Sequence, residues 1–199
     1  MHNSCVFIVL AGLVAGCGDG SSSPEVPSSA PSESMAAIDN DSNPDGQASC
    51  EVSPPYSVPL SDLQASLSCF GDLQNTDRSP VLLVHGTAID AENNWDWNYQ
   101  PELLSRGYAV CTVQQPGNSM LDIQTSAEYI AFAIREMAAQ SDRKVQIIGC
   151  SQGGMTPRWV FKYWPDTRQL VENHIALAPS NHGTLTARTA CEPECAEAF

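Results

Sequence analysis

The chain has 199 residues, and 23 acidic side chains against 9 basic ones leave it a formal net charge of −14. That excess repels phosphate backbones and supplies no polybasic patch for anionic lipid, which excludes nucleic-acid binding and electrostatic docking on a membrane. Hydrophobic residues still make up 42% of the sequence, enough for a folded core, but they are unevenly distributed along the chain.

Residues 1–17 read as an export signal. The apolar run from Val6 to Ala15 is too short to cross a bilayer as a helix and has the length of a signal h-region. It ends in Leu13-Val-Ala-Gly-Cys17, which resembles a bacterial lipobox, so a lipid thioether is expected on Cys17 with the protein anchored to the outer membrane or cell surface. Secretion after cleavage nearby is the alternative. The basic n-region usual in such signals is missing, since no Lys or Arg precedes Arg78, and Gly18 stands where an Asp would retain the protein at the inner membrane. Residues 18–53 are dominated by Ser, Pro, Asp, Glu and Gly; they cannot bury enough surface to offset their ordering entropy and are expected to form a flexible tether. The folded domain is placed at residues 54–199.

Within that domain strand and helix signals alternate. Val81–Val84 reads as a strand, Trp97–Arg106 as a helix closed by Gly107, and Tyr108–Val113 as the next strand. A helix follows in which Thr125 and Glu128 have capping-box spacing and Ile130, Ala133, Ile134 and Met137 share one face. Val145–Cys150 is a strand, Met155–Tyr163 a helix stopped by Trp164-Pro165, and His174–Ser180 a further strand. Near-continuous apolar strands separated by helices predict an α/β fold with a mostly parallel sheet covered on both faces.

Two motifs carry chemistry. Gly149-Cys-Ser-Gln-Gly153 has the Gly-x-Ser-x-Gly pattern between a strand and a helix, which makes Ser151 the candidate nucleophile on a strained turn, with small residues where the two backbones pass closely. Upstream, the Val81–Val84 strand runs into His85-Gly86-Thr87. A loop in that position supplies one backbone N–H of an oxyanion hole and the residue after the nucleophile the other, here Thr87 and Gln152; the Thr87 hydroxyl could add a further donor.

Cysteine usage fits an exported protein. With Cys5 in the signal and Cys17 at the lipid site, Cys50, Cys69, Cys111, Cys150, Cys191 and Cys195 remain, and some of these are expected to pair. Cys191-Glu-Pro-Glu-Cys195 could close a short loop, or each could reach elsewhere. A zinc site using His174 and His182 fits no common spacing, so no metal is expected. Cys150 has no base beside it and reads as a packing residue.

These residues together resemble the α/β-hydrolase lipases of the Candida antarctica lipase B type, from about Pro55 to at least Gly183. The similarity includes Ser68-Cys69, Pro80–Val84 with Gly86-Thr87, Asn94-Trp95, Gly107-Tyr108 leading to Cys111, Glu128-Tyr129, Ser151–Gly154, Ala178-Pro179 and Gly183-Thr184. The resemblance implies an α/β-hydrolase, a Cys69–Cys111 disulfide, Ser151 as nucleophile, Thr87 and Gln152 as oxyanion hole, an ester or acyl-glycerol substrate, and no cofactor. His85, Gly86, Cys150 and His182 are then expected around the substrate pocket. Two departures stand out. The family has a Trp before the nucleophile that narrows the alcohol side, where this chain has Cys150, and a Pro before Gly86, where it has His85.

A serine nucleophile on this fold is followed in sequence by an Asp or Glu and then a His. After Ser151 the candidates are Asp166, Glu172, His174 and His182. Asp166 ends the elbow helix, His174 opens a strand at the wrong end, and His182 lies on the correct rim with no acid before it in a suitable place. The triad Asp and His are therefore expected beyond Phe199, making this an α/β-hydrolase domain incomplete at its C-terminus and inactive as it stands. The alternatives are a non-catalytic lipoprotein that keeps the scaffold for binding, and a polyester depolymerase or acyltransferase built on the same residues.

Overall fold

A computed structural model describes residues 53–183. The signal segment, Cys17, nearly all of the tether, Cys50, Cys191 and Cys195 lie outside the described residues. The elements are α1 (Leu60–Ala65), β1 (Leu67–Phe70), β2 (Val81–Val84), α2 (Ala91–Trp95), α3 (Tyr99–Ser105), β3 (Val110–Val113), α4 (Ile123–Ser141), β4 (Val145–Cys150), α5 (Gln152–Tyr163) and β5 (Val171–Leu177), with 3-10 turns at Pro116–Ser119 and Pro165–Leu170.

The strands form one sheet in the order β1-β3-β2-β4-β5. β3, β2, β4 and β5 run parallel, and only β1 is antiparallel, paired with β3. Cys69 and Cys111 face each other across that antiparallel pair and are joined by a disulfide. β2 and β3 are buried at every position because both faces are covered. Leu82, Val84, Cys111, Val113 and Ile147 pack with the buried face of α4, while Val81, Leu83, Val110 and Ile148 pack with Trp95 of α2 and Leu103 and Leu104 of α3. Ile130, Ala133, Ile134 and Met137 are all fully buried, which is what their common face requires. Among the described residues no helix is long and apolar enough to cross a membrane.

Three local expectations are corrected. The helix expected over Trp97–Arg106 is α3, and it starts two residues later than expected, because Asn98 leaves helical geometry (φ −135°, ψ −97°) and its side chain accepts from the Tyr99 N–H. α4 is capped by Asp122, whose carboxylate accepts the Thr125 N–H at 2.8 Å, and not by a Thr125–Glu128 box. Glu128 instead accepts from the Ser57 N–H (2.7 Å), the Ser57 hydroxyl (2.6 Å) and the Val58 N–H (2.9 Å), fastening the N-terminal segment to α4. Finally, the last strand begins at Val171 and ends at Leu177, where Ala178 turns to φ +47° ahead of Pro179. β5 is half open to solvent, with Ile175 48% exposed, so no continuous apolar run announces its start.

Candidate active site

β4 ends at Cys150 and α5 begins at Gln152, so the whole change of direction falls on Ser151. Its φ of +52° and ψ of −121° are strained for a residue with a side chain. The surroundings hold it there. A Cβ on Gly149 would lie 2.0 Å from the Gly153 carbonyl oxygen, and one on Gly153 would lie 2.3 Å from the Val84 oxygen and 2.4 Å from the His85 oxygen. Only hydrogen at both positions lets α5 start directly on β4 and against the end of β2. The turn is then closed by Ser151 N–H to Leu177 O (2.9 Å) and Gly154 N–H to Ser151 O (3.0 Å).

The loop after β2 is fixed just as firmly. The Gly86 N–H donates to Asn94 Oδ1 at 3.0 Å, the Ala88 N–H to Asn118 O at 2.8 Å, and the Ala91 N–H to Gln114 Oε1 at 2.9 Å. His85 lies beneath it, fully buried. Its Nε2 accepts the Gln115 N–H at 2.9 Å, so the ring proton sits on Nδ1, which donates to Gly86 O at 2.8 Å. Burial holds the imidazole below its ordinary pKa, against the opposing pull of the Gly86 carbonyl and the Asp90 charge. The expectation that His85 lines the substrate pocket is therefore corrected: both ring nitrogens are engaged and none of its surface is open.

Thr87 meets Gln152 directly, with the Thr87 hydroxyl donating to Gln152 Oε1. Neither the Thr87 nor the Gln152 backbone N–H has an acceptor among the described hydrogen bonds, and Gln152 opens a 12-residue helix whose N-terminus carries partial positive charge. Two free donors beside a hydroxyl on a strained turn can stabilise an oxygen that becomes an alkoxide. Gly86 completes the rim, since a Cβ there would come within 3.2 Å of Ser151 Cβ. Cys150 is half-buried and packs with Ile148 and Leu177 on the α2–α3 face.

The other candidates lie apart. His174 is in the middle of β5, paired with Ile147 and edge-on to Phe161 at 5.7 Å, not at the strand's opening. Asp166 is held by Arg135 through Nε (2.8 Å) and Nη2 (2.8 Å) and by the Ser53 hydroxyl. His182 lies past the C-terminal end of β5 on an exposed stretch tied to α5 by Arg158 Nη1 to Asn181 Oδ1 at 2.9 Å. The polar supports of the loop after β2, Gln115 and Asn118 in particular, are not marked by any sequence pattern; each lies in a turn whose partner is a loop nearly thirty residues upstream.

No family model matches the chain. It is 33% identical over 135 residues to lipase B of Pseudozyma antarctica, covering 67% of this chain and 40% of that protein. It is 30% identical over 120 residues to a triacylglycerol lipase of Pseudarthrobacter phenanthrenivorans, covering 57% of this chain and 36% of the relative. The chain thus spans about 40% or less of the length of these relatives. Among solved structures, Aspergillus fumigatus lipase B superposes with a TM-score of 0.62 at 34% identity, over 70% of this chain and 34% of that one. The Bacillus licheniformis lipase BlEst2 in mature form gives 0.54 at 22% identity over 64% and 52%, a likeness of fold alone. The strand order, the elbow and this similarity together make the chain an α/β-hydrolase and a relative of the lipase B type.

Proposed function

We propose that this protein hydrolyses carboxylic esters, acyl-glycerols among them, through an acyl-enzyme on Ser151. The observation that carries the reading is Ser151 at φ +52° between two glycines that admit no side chain, beside a rigid loop ending at Thr87. In this reading Ser151 Oγ attacks the ester carbonyl and its proton passes to an imidazole base. The carbonyl oxygen takes the electron pair and is held by the Thr87 and Gln152 N–H groups. Collapse of the tetrahedral intermediate expels the alcohol, which receives the proton from the imidazolium. Water then attacks the acyl-enzyme by the same route and releases the acid.

None of the described histidines suits the role of that base. His85 is buried with both nitrogens bonded, His174 packs on Phe161, and His182 has no acid partner among the described residues. The Leu13–Cys17 pattern supports export with a lipid on Cys17. Similarity to lipases supports an ester substrate, and no cofactor enters the scheme.

The test is labelling of the natural full-length protein with a fluorophosphonate probe. Labelling is expected, and Ser151→Ala should abolish it; a folded protein that takes no label removes the enzyme reading and leaves a binding scaffold. The half-buried Cys150 beside the nucleophile extends the proposal to the alcohol side. Cys150→Trp should lower turnover of secondary-alcohol esters relative to primary ones by roughly tenfold, and an unchanged ratio would remove this extension.

A further inference from the structure

Gln152 enters the reading above only through its backbone, yet its side chain is where the site's polar accounting is incomplete. The residue is 4% exposed. Its Oε1 accepts the Thr87 hydroxyl, while its Nε2 is buried without a partner among the described residues. A buried amide N–H left unpaired is costly, and a partner is within reach. A half turn about the last side-chain bond exchanges Oε1 and Nε2 without moving any other atom.

The two orientations have different consequences for Thr87, because a hydroxyl has one proton to give. With Oε1 towards Thr87, that proton is tied to Gln152 and the site keeps two backbone donors. With Nε2 towards Thr87, the amide donates to Thr87 Oγ and the hydroxyl proton is free to point at the reacting oxygen; Oε1 then takes the partnerless place, where an acceptor is more readily left unpaired than an N–H. Gln152 cannot drift from this contact: its carbonyl accepts the Thr156 hydroxyl at 3.0 Å, and Gly153 next to it is clamped against β2.

We propose that the side-chain amide of Gln152 is a positioning residue, donating from Nε2 to Thr87 Oγ and so aiming the Thr87 hydroxyl at the oxyanion as a third donor. The proposal rests on the ester-hydrolase reading. It predicts that Thr87 and Gln152 act as one unit, and that replacing the amide by a group that only accepts undoes the Thr87 contribution.

A double-mutant cycle on the natural full-length protein tests it, with kcat and KM measured on p-nitrophenyl butyrate and Tm as the check on folding. Thr87→Val should lower kcat roughly 10²-fold with KM little changed. Gln152→Glu, whose carboxylate captures the hydroxyl proton, should lose a similar factor, and adding Thr87→Val to it should cost little more. Gln152→Met, which neither donates nor accepts, should lose a few-fold, because the hydroxyl can still rotate into place. Wild-type kcat in a folded Gln152→Glu or Gln152→Met variant would overturn the proposal, as would an equal Thr87→Val loss in both backgrounds. If the wild-type protein neither turns over ester nor takes a fluorophosphonate label, the underlying reading fails and this proposal with it. If the wild type is active and the pair is uncoupled, only the proposal fails.

Discussion

The turn at Ser151 and the segment from Ser53 to Val58 are both held against the sheet and its helices, but by opposite means. The turn is fixed by what is missing: Gly149 and Gly153 carry no Cβ, and α5, β4 and the end of β2 meet backbone to backbone. The N-terminal segment is fixed by what is added. Glu128 receives three hydrogen bonds from Ser57 and Val58, Arg135 bonds the Tyr56 hydroxyl and Asp166, and the Trp164 Nε1–H reaches Pro54 O at 3.1 Å. Steric exclusion is all or none, whereas a polar clasp can be weakened bond by bond. A residue that must stay strained, as Ser151 does at φ +52°, needs the first kind of support.

The largest effect expected from this contrast is at the turn. Gly149→Ala and Gly153→Ala each drive a methyl to within about 2 Å of main-chain oxygens, and a rigid backbone cannot yield. Each should cost more than ~4 kcal/mol and leave little folded protein, read as loss of the cooperative urea transition. A Gly153→Ala variant that folds with near-native stability would show that the elbow is looser than its packing indicates. At the clasp, Glu128→Ala leaves the Ser57 and Val58 N–H groups without their acceptor and should cost ~3 kcal/mol, with the fold retained. Limited proteolysis near residue 58 should speed up in step.

The contrast also explains which parts were legible in the sequence. β2 and β4 are read to the residue because both are short apolar runs bounded by Pro80 and His85, or by Lys144 and Ser151, and both faces of each are covered. The elbow is legible because its requirement is local: a serine and two glycines at fixed spacing. Glu128 misleads for the converse reason. Its spacing from Thr125 fits a capping box, but its partners Ser57 and Val58 lie some seventy residues away. β5 defeats pattern reading at its start because Glu172, Asn173 and His174 interrupt the apolar run after Val171. The antiparallel β1 escaped because the four residues Leu67–Phe70, mostly exposed, look like loop.

Polar support also lies beneath the loop after β2. His85 is neutral in the folded protein, with its pKa lowered chiefly by burial. A group whose folded pKa is depressed contributes stability that is fully present above its unfolded value, near 6.5 for histidine. That stability is lost as pH falls through the folded value. Acidification should therefore destabilise the protein by at most ~1.4 kcal/mol per pH unit from this group. Protonating Nε2 would also break the Gln115 N–H bond to it. In His85→Asn that part of the pH dependence should vanish when urea midpoints are compared at pH 7.5 and pH 5.5. An unchanged pH dependence would mean that the ring is not the group responsible.

The smallest effect should come from the outermost part of the clasp. Arg135 holds Asp166 by two bonds, and that guanidinium is the main reason the Asp166 carboxyl lies below its usual range. The pair is only partly shielded, with side-chain exposures of 28% for Arg135 and 37% for Asp166, so solvent screens much of the attraction. The sign is that of a depressed carboxylate: its contribution is present above the unfolded value of about 4 and disappears as pH falls through the lower folded value. Asp166→Asn should thus cost less than ~1 kcal/mol at pH 7 and even less at pH 3, below the unfolded value, where part of that contribution is already lost. High salt should shrink the pH 7 difference further. A loss at pH 7 as large as that of Glu128→Ala would contradict the graded clasp, because it would make the exposed Asp166 pair as important as the buried Glu128 acceptor.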